Sequence, residues 1–464
     1  MPRDRHATLL ALLVAGAFFM ENLDGTVIAT ALPQMAESFG VEAPSLAIGM
    51  TAYLLTLAVF IPASGWMADR FGARRVFTSA IVVFTVASVL CALSQGRWEF
   101  TLARVLQGCG GALMTPVGRL VVLRDTPKPE LMRAIATLTW PALVAPVLGP
   151  PVGGFITSVS SWRWIFLLNV PLGFVGVACA LRLVGDTRDA VVRPFDVQGF
   201  LLNGIALASL LYASELLGQT GAQGWLTGVM LGVSVLAGWA ALRHARRHPH
   251  PLVGLQAFGV PSFAITLSSG FLSRVVISTM PFLLPLLFQL GLGLDPFVSG
   301  LLVLWYGLSN LGIKPATSPI LRRFGFRQVL LVNTVLNAVA IGGCALIGPA
   351  TPAWVIATLL LLAGASRSMQ FTALNTLGFA EMPPSLTGAA NTLFNMAFQL
   401  AIGLGIACGA IVLRATDAIA GEGMAALPFH WAFLAIAIIG LVPLPGFLRL
   451  RPDVGAGVSG HRAA

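Results

Sequence analysis

Glu21 and Asp24 stand three residues apart inside an apolar run, residues 8–32. That spacing puts both carboxyls on one face of a helix. Two acids so close and away from bulk water do not both stay ionised, so the pair reads as a proton carrier, with a structural salt bridge as the alternative. Arg104 lies inside another apolar run, 98–121. Counted from the outer end of each run, Asp24 is roughly 12 Å deep and Arg104 roughly 9 Å deep, so the two can pair or compete through a shared proton. The other reading of Arg104 is a side chain that snorkels to the outer interface. Arg274 and Arg367 sit mid-way along runs 262–290 and 354–378, and Lys314 in the inner half of run 297–316, with no acid inside those three runs. An ionisable group at mid-membrane costs about 2.5–3.5 kcal/mol on insertion scales, so each needs a reason. Together the six groups carry four positive charges against two negative, a cationic cavity suited to carboxylate or phosphate groups. Pairing with backbone carbonyls, or snorkelling of Lys314, is the plainer alternative.

The elements that must hold these residues are helices in a bilayer. Of 464 residues, 56% are hydrophobic and only 10% charged, with a mean hydropathy of +0.86; soluble domains carry about 25% charged residues. Fourteen apolar runs are readable: 8–32, 45–67, 74–95, 98–121, 131–157, 163–184, 199–217, 225–242, 262–290, 297–316, 328–347, 354–378, 387–413 and 429–449. Runs of about 20 residues span a bilayer core as helices. The net charge of +10 does not mark a nucleic-acid surface, because it does not cluster on a soluble face. With the N-terminus inside, 20 of the 28 basic residues fall on cytoplasmic segments and three (Arg97, Arg163, Arg414) on outer loops. By the positive-inside rule both termini are cytoplasmic. The first run is too long for a cleavable signal and holds two acids, so it is expected to be a retained helix. The five cysteines fall within runs without CxxC spacing and read as small buried residues. His244, His248 and His250 have metal-like spacing but no Cys, Asp or Glu nearby in sequence, so they read as a solvated basic loop and no metal is expected.

Gly65 to Arg75, GWMADRFGARR, separates the second and third runs. A diluted copy, Ser318 to Gln328, separates the tenth and eleventh. Phe71-Gly72 matches Phe324-Gly325, Arg70 matches Arg323, Arg74 matches Arg327, and Asp69 falls opposite Arg322. An offset of eight runs implies two six-helix halves plus two extra helices, the seventh and eighth. The expected organisation is a six-helix bundle at 1–184, a two-helix insert with flanking loops at 185–261, a six-helix bundle at 262–451 and a disordered Gly-rich tail at 452–464. Duplicated bundles of this kind are usually transporters. In the fifth run, Ala145, Gly149 and Gly153 repeat every four residues and leave a groove for a neighbour. Pro146, Pro150 and Pro151 remove backbone donors there and favour a bend.

With these residues in place, the chain resembles the major facilitator superfamily, and within it the fourteen-helix drug:proton antiporter branch, over nearly its whole length. Leu23-Asp24-Gly25-Thr26 with Ala31-Leu32-Pro33 is similar to the branch's first-helix pattern. Gly65, Asp69, Arg70, Gly72 and Arg74 match the superfamily's hinge loop, and Arg104, Gln107 and Gly108 its R-x-x-Q-G motif. Gly149, Pro150, Gly153 and Gly154 match the antiporter motif, and the run Ser161 to Gly173 is similar to a segment of the branch. Ala29, Ala73 and Ala145 depart from its usual residues. The resemblance implies an all-α polytopic major facilitator fold with helices arranged 6+2+6 and pseudo-twofold halves. It also implies alternating access around a central cavity, with export of a small molecule against inward protons. Asp24, tuned by Arg104 and Glu21, would load the protons. Asp69, Arg70 and Arg74 would form a cytoplasmic gate. No cofactor is implied beyond the proton gradient, and the protein would work as a monomer in a bacterial inner membrane.

Within transport, two substrate classes stay open: drugs of the multidrug-efflux type, and anionic metabolites or metal chelates of the citrate-carboxylate type held by Arg274, Arg367 and Lys314. A membrane enzyme or receptor is the distant alternative. The sequence has no HExxH, no P-loop and no paired His/Asp site, and it has no sensor or output domain.

Overall fold

An apolar chain in lipid must satisfy its backbone internally, and the helix does so within one segment. The computed structural model describes residues 3–125, 131–185, 194–217, 224–249, 251–420, 425–459 and 461. Lys128, Arg188, Arg193, Arg462 and His250, on which the sequence reading draws, lie outside them. Among the described residues, fourteen main helices follow one another: α1 (Arg3–Val27), α2 (Ala47–Phe71), α3 (Ala73–Leu93), α4 (Arg97–Asp125), α5 (Leu131–Val159), α6 (Asn169–Leu183) and α7 (Val197–Leu217). Then come α8 (Gly224–Arg247), α9 (Pro261–Ile277), α10 (Pro296–Gly312), α11 (Lys314–Gly343), α12 (Ala353–Ala380), α13 (Thr387–Ala420) and α14 (Leu427–Ile439). Short helices and turns join them, and no strand occurs among the described residues.

Twelve helical stretches among the described residues are long and apolar enough to cross a membrane. The two expected runs outside that count are helical as well. Run 131–157 lies in α5, which continues through four prolines, Pro141, Pro146, Pro150 and Pro151. Run 297–316 is divided at Ile313: α10 stops at Gly312 and α11 starts at Lys314. Pro315 explains the break, since it has no N–H to donate back and its ring crowds the preceding turn.

The hinge copies share a backbone as well as a sequence. Gly72 (φ 90°, ψ 135°) separates α2 from α3, and Gly325 (φ 72°, ψ 166°) breaks α11 in the same way. Positive φ is the conformation that glycine adopts without a Cβ clash, so the repeat preserved the residue that makes the turn.

The chain forms two compact units. One comprises residues 1–213 and 228–252, the other 214–227 and 253–464. In the first, α4 packs on α1, α2 and α3, α1 lies along α5, and α3 meets α6. In the second, α12 packs on α9, α10 and α11, α9 lies along α13, and α11 meets α14. The internal packing is therefore the same pattern eight helices later. The close pair in each is made by glycine. Gly153 of α5 stands against the Val27 carbonyl and Thr30, and Gly405 of α13 against the Val275 carbonyl and Ser278, where a Cβ would strike backbone. In the first unit, Val14, Phe77, Phe84 and Met114 form part of one buried apolar core. After Arg451, residues 456–459 form one short helical turn, and the His461 ring meets the Arg322 carbonyl at 3.1 Å.

Candidate functional site

Four helices of the first unit meet at one carboxylate. Asp24 of α1 is 1% exposed, and Arg104 of α4 is buried to the same degree. The Arg104 Nη1 donates to Asp24 Oδ2 at 2.5 Å and to Gln107 Oε1 at 2.5 Å. Gln107 Nε2 donates to Asp24 Oδ1 at 2.9 Å and to Ser88 Oγ of α3 at 2.8 Å. Asn169 Nδ2 of α6 donates to the same Asp24 oxygen at 2.8 Å and to Ser88 at 3.1 Å. The three-residue spacing on α4 puts Arg104 and Gln107 on one face, so both reach the carboxylate. The Arg104 guanidinium also lies 4.1 Å from the centre of the Tyr53 ring on α2, a cation–π contact. Depth along the runs points to Asp24 and Arg104, and they are an ion pair. Asn169 and Ser88 escape the sequence reading, because nothing in sequence ties either of them to Asp24.

Glu21 stands one turn earlier on α1 and is 9% exposed. Its Oε2 accepts from Thr115 Oγ1 of α4 at 2.5 Å. Gly111 faces both this carboxyl and the Tyr53 hydroxyl: a Cβ there would lie 3.7 Å from Glu21 Cδ and 3.2 Å from Tyr53 Oη. The ring that carries Arg104 thus turns its hydroxyl toward the neighbourhood of Glu21. Tyr53 Oη and Arg104 Nε have no hydrogen-bond partner among the described residues.

At the hinge, Arg70 and Arg75 are exposed and Asp69 is half-buried. Arg74 donates to the Leu181 carbonyl in the last turn of α6. Its counterpart Arg327 donates to the Leu448 carbonyl at 3.2 Å, at the end of the short helix Leu444–Leu448 that follows α14. A basic group there satisfies a carbonyl that helix geometry leaves free. Each matched arginine thus fastens its hinge to the last helix of its own bundle.

The second unit holds a comparable polar cluster. Arg367 and Gln370 of α12 have the same R-x-x-Q spacing as Arg104 and Gln107, a signal that lies in the sequence outside the motifs matched above. Gln370 Nε2 donates to Ser273 Oγ at 3.1 Å and Thr334 Oγ1 at 3.2 Å, and Asn333 donates to its Oε1 at 2.8 Å. Ser273 and Thr334 thus accept from this glutamine, as Asp24 and Ser88 accept from Gln107. Arg367 lies 5.3 Å from the centre of the Tyr306 ring, as Arg104 does over Tyr53, but makes no ion pair with a carboxylate among the described residues. Arg274, 4% exposed, donates to Asn375 Oδ1 and sits among Phe394, Phe398 and Phe371 at 4.5, 4.7 and 5.6 Å. Arg367 is also 5.3 Å from the Phe371 ring, so this one ring is in contact with both guanidinium groups. Lys314 donates to Thr372 Oγ1 at 2.9 Å, one residue from that phenylalanine. The three expected cations thus converge on one turn of α12.

A further cluster sits at the ends of α7 and α8. Asp196 precedes α7, is 6% exposed, and caps it by accepting from Gly199 N–H at 2.8 Å. Its other oxygen accepts from Leu252 N–H at 3.0 Å. The His244 Nε2, in the last turn of α8, is 2.7 Å from Asp196 Oδ1. Burial raises the Asp196 carboxyl, but the two N–H donors and His244 outweigh it and hold the group below the usual carboxylate range. The solvated basic loop expected at these histidines is thus corrected: an acid does stand beside them, hidden because Asp196 is 48 residues from His244 along the chain.

The chain matches the family model described as Major Facilitator Superfamily over residues 14–406. It is 37% identical over 451 residues to the MdtD protein of Cronobacter sakazakii, a relative named as a candidate multidrug resistance protein, covering 95% of this chain and 94% of that one. The MdtD protein of Pectobacterium atrosepticum, named alike, is 36% identical over 444 residues, 95% of each chain. Solved structures share the fold at low identity. A mutant of the nucleoside transporter NupG superposes with a TM-score of 0.65 at 14% identity, over 95% of this chain and 99% of that one. A D-xylose-proton symporter gives 0.64 at 16%, over 95% and 98%. A family model matched over most of the chain, relatives aligned along nearly all of it, and the shared fold lead to one placement: this polytopic membrane protein belongs to the major facilitator superfamily of transporters.

Proposed function

We propose that this chain is a proton-coupled exporter of small molecules, working by alternating access in a bacterial inner membrane with both termini cytoplasmic. The observation that carries the reading is the Asp24 carboxylate, buried and bound by Arg104, Gln107 and Asn169. A proton on Asp24 neutralises the only carboxylate paired with Arg104 among the described residues and turns an acceptor oxygen into a donor. The contacts that tie α1 to α4 and α6 then weaken together. A protonation step thereby becomes a change in how these helices hold one another, which is what coupling a proton to a conformational equilibrium requires. Glu21, with Thr115 and Tyr53 beside it, is the second station for the proton. Asp69, Arg70 and Arg74 form the gate, and the bond from Arg74 to the end of α6 supports that role. The names of the MdtD relatives favour drug-like substrates. No cofactor is required. The test is transport in proteoliposomes under an imposed pH gradient, comparing the natural protein with Asp24→Asn; export that still follows the gradient in the variant would refute the reading.

A second reading of the substrate rests on a specific observation. Arg274, Arg367 and Lys314 lie around Phe371 and Thr372, and no carboxylate pairs with them among the described residues. A substrate bearing two or more carboxylates would supply the missing charge. Competition by small tricarboxylates and by lipophilic cations for binding to the purified protein separates the two classes.

A further inference from the structure

The α7–α8 pair carries a cluster that the transport reading does not use. We propose that Asp196, His244 and His248 form a binding site for one divalent metal ion of the zinc class, closing the ends of α7 and α8 and the chain that leaves them.

One ligand atom from each of the three residues lies within 4.8 Å of the others. His244 and His248 are four residues apart, one helical turn, so their rings sit side by side with centroids 4.9 Å apart and planes 31° from parallel. Two imidazoles and a carboxylate are a zinc-type ligand set, and three protein ligands leave a fourth position for water. Imidazole also favours copper and nickel, whereas magnesium and calcium prefer sites built of oxygen alone. Asp196 Oδ1 and His244 Nε2 are 2.7 Å apart. With metal–ligand bonds of about 2.0–2.2 Å in tetrahedral geometry the two atoms must stand roughly 3.3 Å apart. An opening of about 0.6 Å at the end of α8 therefore admits the ion in place of the hydrogen bond.

The carboxylate is already oriented for this task. Gly199 N–H fixes Oδ1 and Leu252 N–H fixes Oδ2, the outer hydrogen bonds that hold a ligating carboxylate in place. They use two of its roughly four lone-pair directions and leave capacity toward the histidines. Burial of Asp196 beside half-buried imidazoles keeps the group from bulk water while the histidines stay reachable. Arg243, Arg246 and Arg247 on the same last turns of α8 are exposed to solvent, whereas the buried Asp196 carboxylate faces the histidines. The bound ion would link the start of α7, the end of α8 and the segment through Leu252.

The experiment uses the full chain purified in detergent without a polyhistidine tag and stripped with a chelator. Co²⁺ alone is titrated in and followed by its visible ligand-field absorption, then displaced with Zn²⁺. One Co²⁺ per chain, displaced by one equivalent of Zn²⁺, is expected. His248→Ala keeps the Asp196–His244 contact and the helix cap, so it should fold; it should weaken binding by at least about 100-fold, the upper end of the loss for an outer partner alone. Asp196→Asn should do the same, and Zn²⁺ should raise the Tm of the natural protein but not of His248→Ala. Failure of the natural chain to take up Co²⁺ stoichiometrically would overturn the site. So would undiminished binding in His248→Ala and His244→Ala, which would place the ion on other residues.

Discussion

Replacing Asp24 by asparagine tests the site most directly, because the side chain keeps its shape and loses only its charge. Both carboxylate oxygens face donors: Oδ2 the Arg104 Nη1, and Oδ1 the amides of Gln107 and Asn169. The new NH₂ group therefore opposes a donor in either orientation. Pointed at Arg104, it leaves a buried guanidinium without its carboxylate, and breaking such a pair from one side costs about 3–5 kcal/mol. Pointed the other way, it opposes the Gln107 and Asn169 amides, which keep their bonds to Ser88 but each lose one acceptor at about 1–3 kcal/mol, and the guanidinium keeps only a neutral oxygen. Either route predicts a loss of about 4 kcal/mol, a fall in Tm of about 10 °C for a unit of this size. The double variant Asp24→Asn/Arg104→Gln removes the stranded charge and should recover most of that stability. Transport should not follow stability: both variants should be inactive under a pH gradient, since neither has the titratable group. The measurements are thermal melts in detergent and pH-driven flux in proteoliposomes. A single variant as stable as the natural protein would contradict the buried pair as described. A double variant that restores gradient-driven flux would remove Asp24 from the role of proton carrier.

Other outcomes follow from the same geometry. Arg274→Ala and Arg367→Ala should each lower export of an anionic substrate about tenfold or more, the loss of one charge-assisted contact of about 1.5–3 kcal/mol, with the melting curve retained; undiminished export in both would sink the anion site. Gly72→Ala forces a Cβ into a backbone held at φ 90° and should cost about 1–2 kcal/mol; unchanged stability would mean the hinge relaxes to another conformation. Asp196→Ala removes a cap worth about 1 kcal/mol. Because the folded carboxyl is held below its ordinary value, that contribution is fully present above the unfolded value of about 3.9 and is lost as pH falls through the folded value. The Tm difference between natural and variant protein should therefore be flat from neutral pH to about 5 and close below about 4; a gap that closes at about pH 6 would assign the effect elsewhere.

Much of the architecture was legible because lipid permits so few backbone solutions. Each of the fourteen apolar runs coincides with a helical stretch, and the hinge comparison located two glycines of positive φ. The division at Ile313 is invisible to hydropathy, which counts apolar residues and takes no account of the donor missing at Pro315. Depth, at a rise of about 1.5 Å per residue, puts Asp24 and Arg104 at similar levels, with pairing as one of the open readings. Depth cannot say which helix lies beside which, so Asn169 and Ser88 stayed hidden. Asp196 stayed hidden from His244 for the same reason: the hairpin closes 48 residues into a contact of 2.7 Å. The second R-x-x-Q differs in kind. It stands in the sequence, but there Arg367 draws notice only as a buried charge, and Gln370, being neutral, draws none.

That second copy bears most on how the two bundles divide their work. Each bundle holds an arginine near a tyrosine ring and a glutamine three residues on. The registers are about two turns apart, since Gly108, after Arg104, stands at the Tyr53 carbonyl and Gly364, before Arg367, at the Tyr306 carbonyl. The glutamine meets Asp24 in one bundle and Ser273 in the other. A serine hydroxyl satisfies the glutamine amide but cannot neutralise a guanidinium, so the two clusters differ in charge. In the first bundle the arginine is compensated internally by Asp24, and under the proposed function a proton on that acid is what changes its state. In the second it has no carboxylate partner among the described residues, and under the anionic-substrate proposal an anion from outside the bundle supplies one. A Ser273→Asp substitution would move the second copy toward the first: Arg367 would gain an internal partner, and a carboxylate-bearing ligand would have to compete with it. If anionic ligands bound the Ser273→Asp protein as tightly as the natural one, the charge on Arg367 would not be what holds them, and the division between the bundles would have to rest on something other than the missing acid.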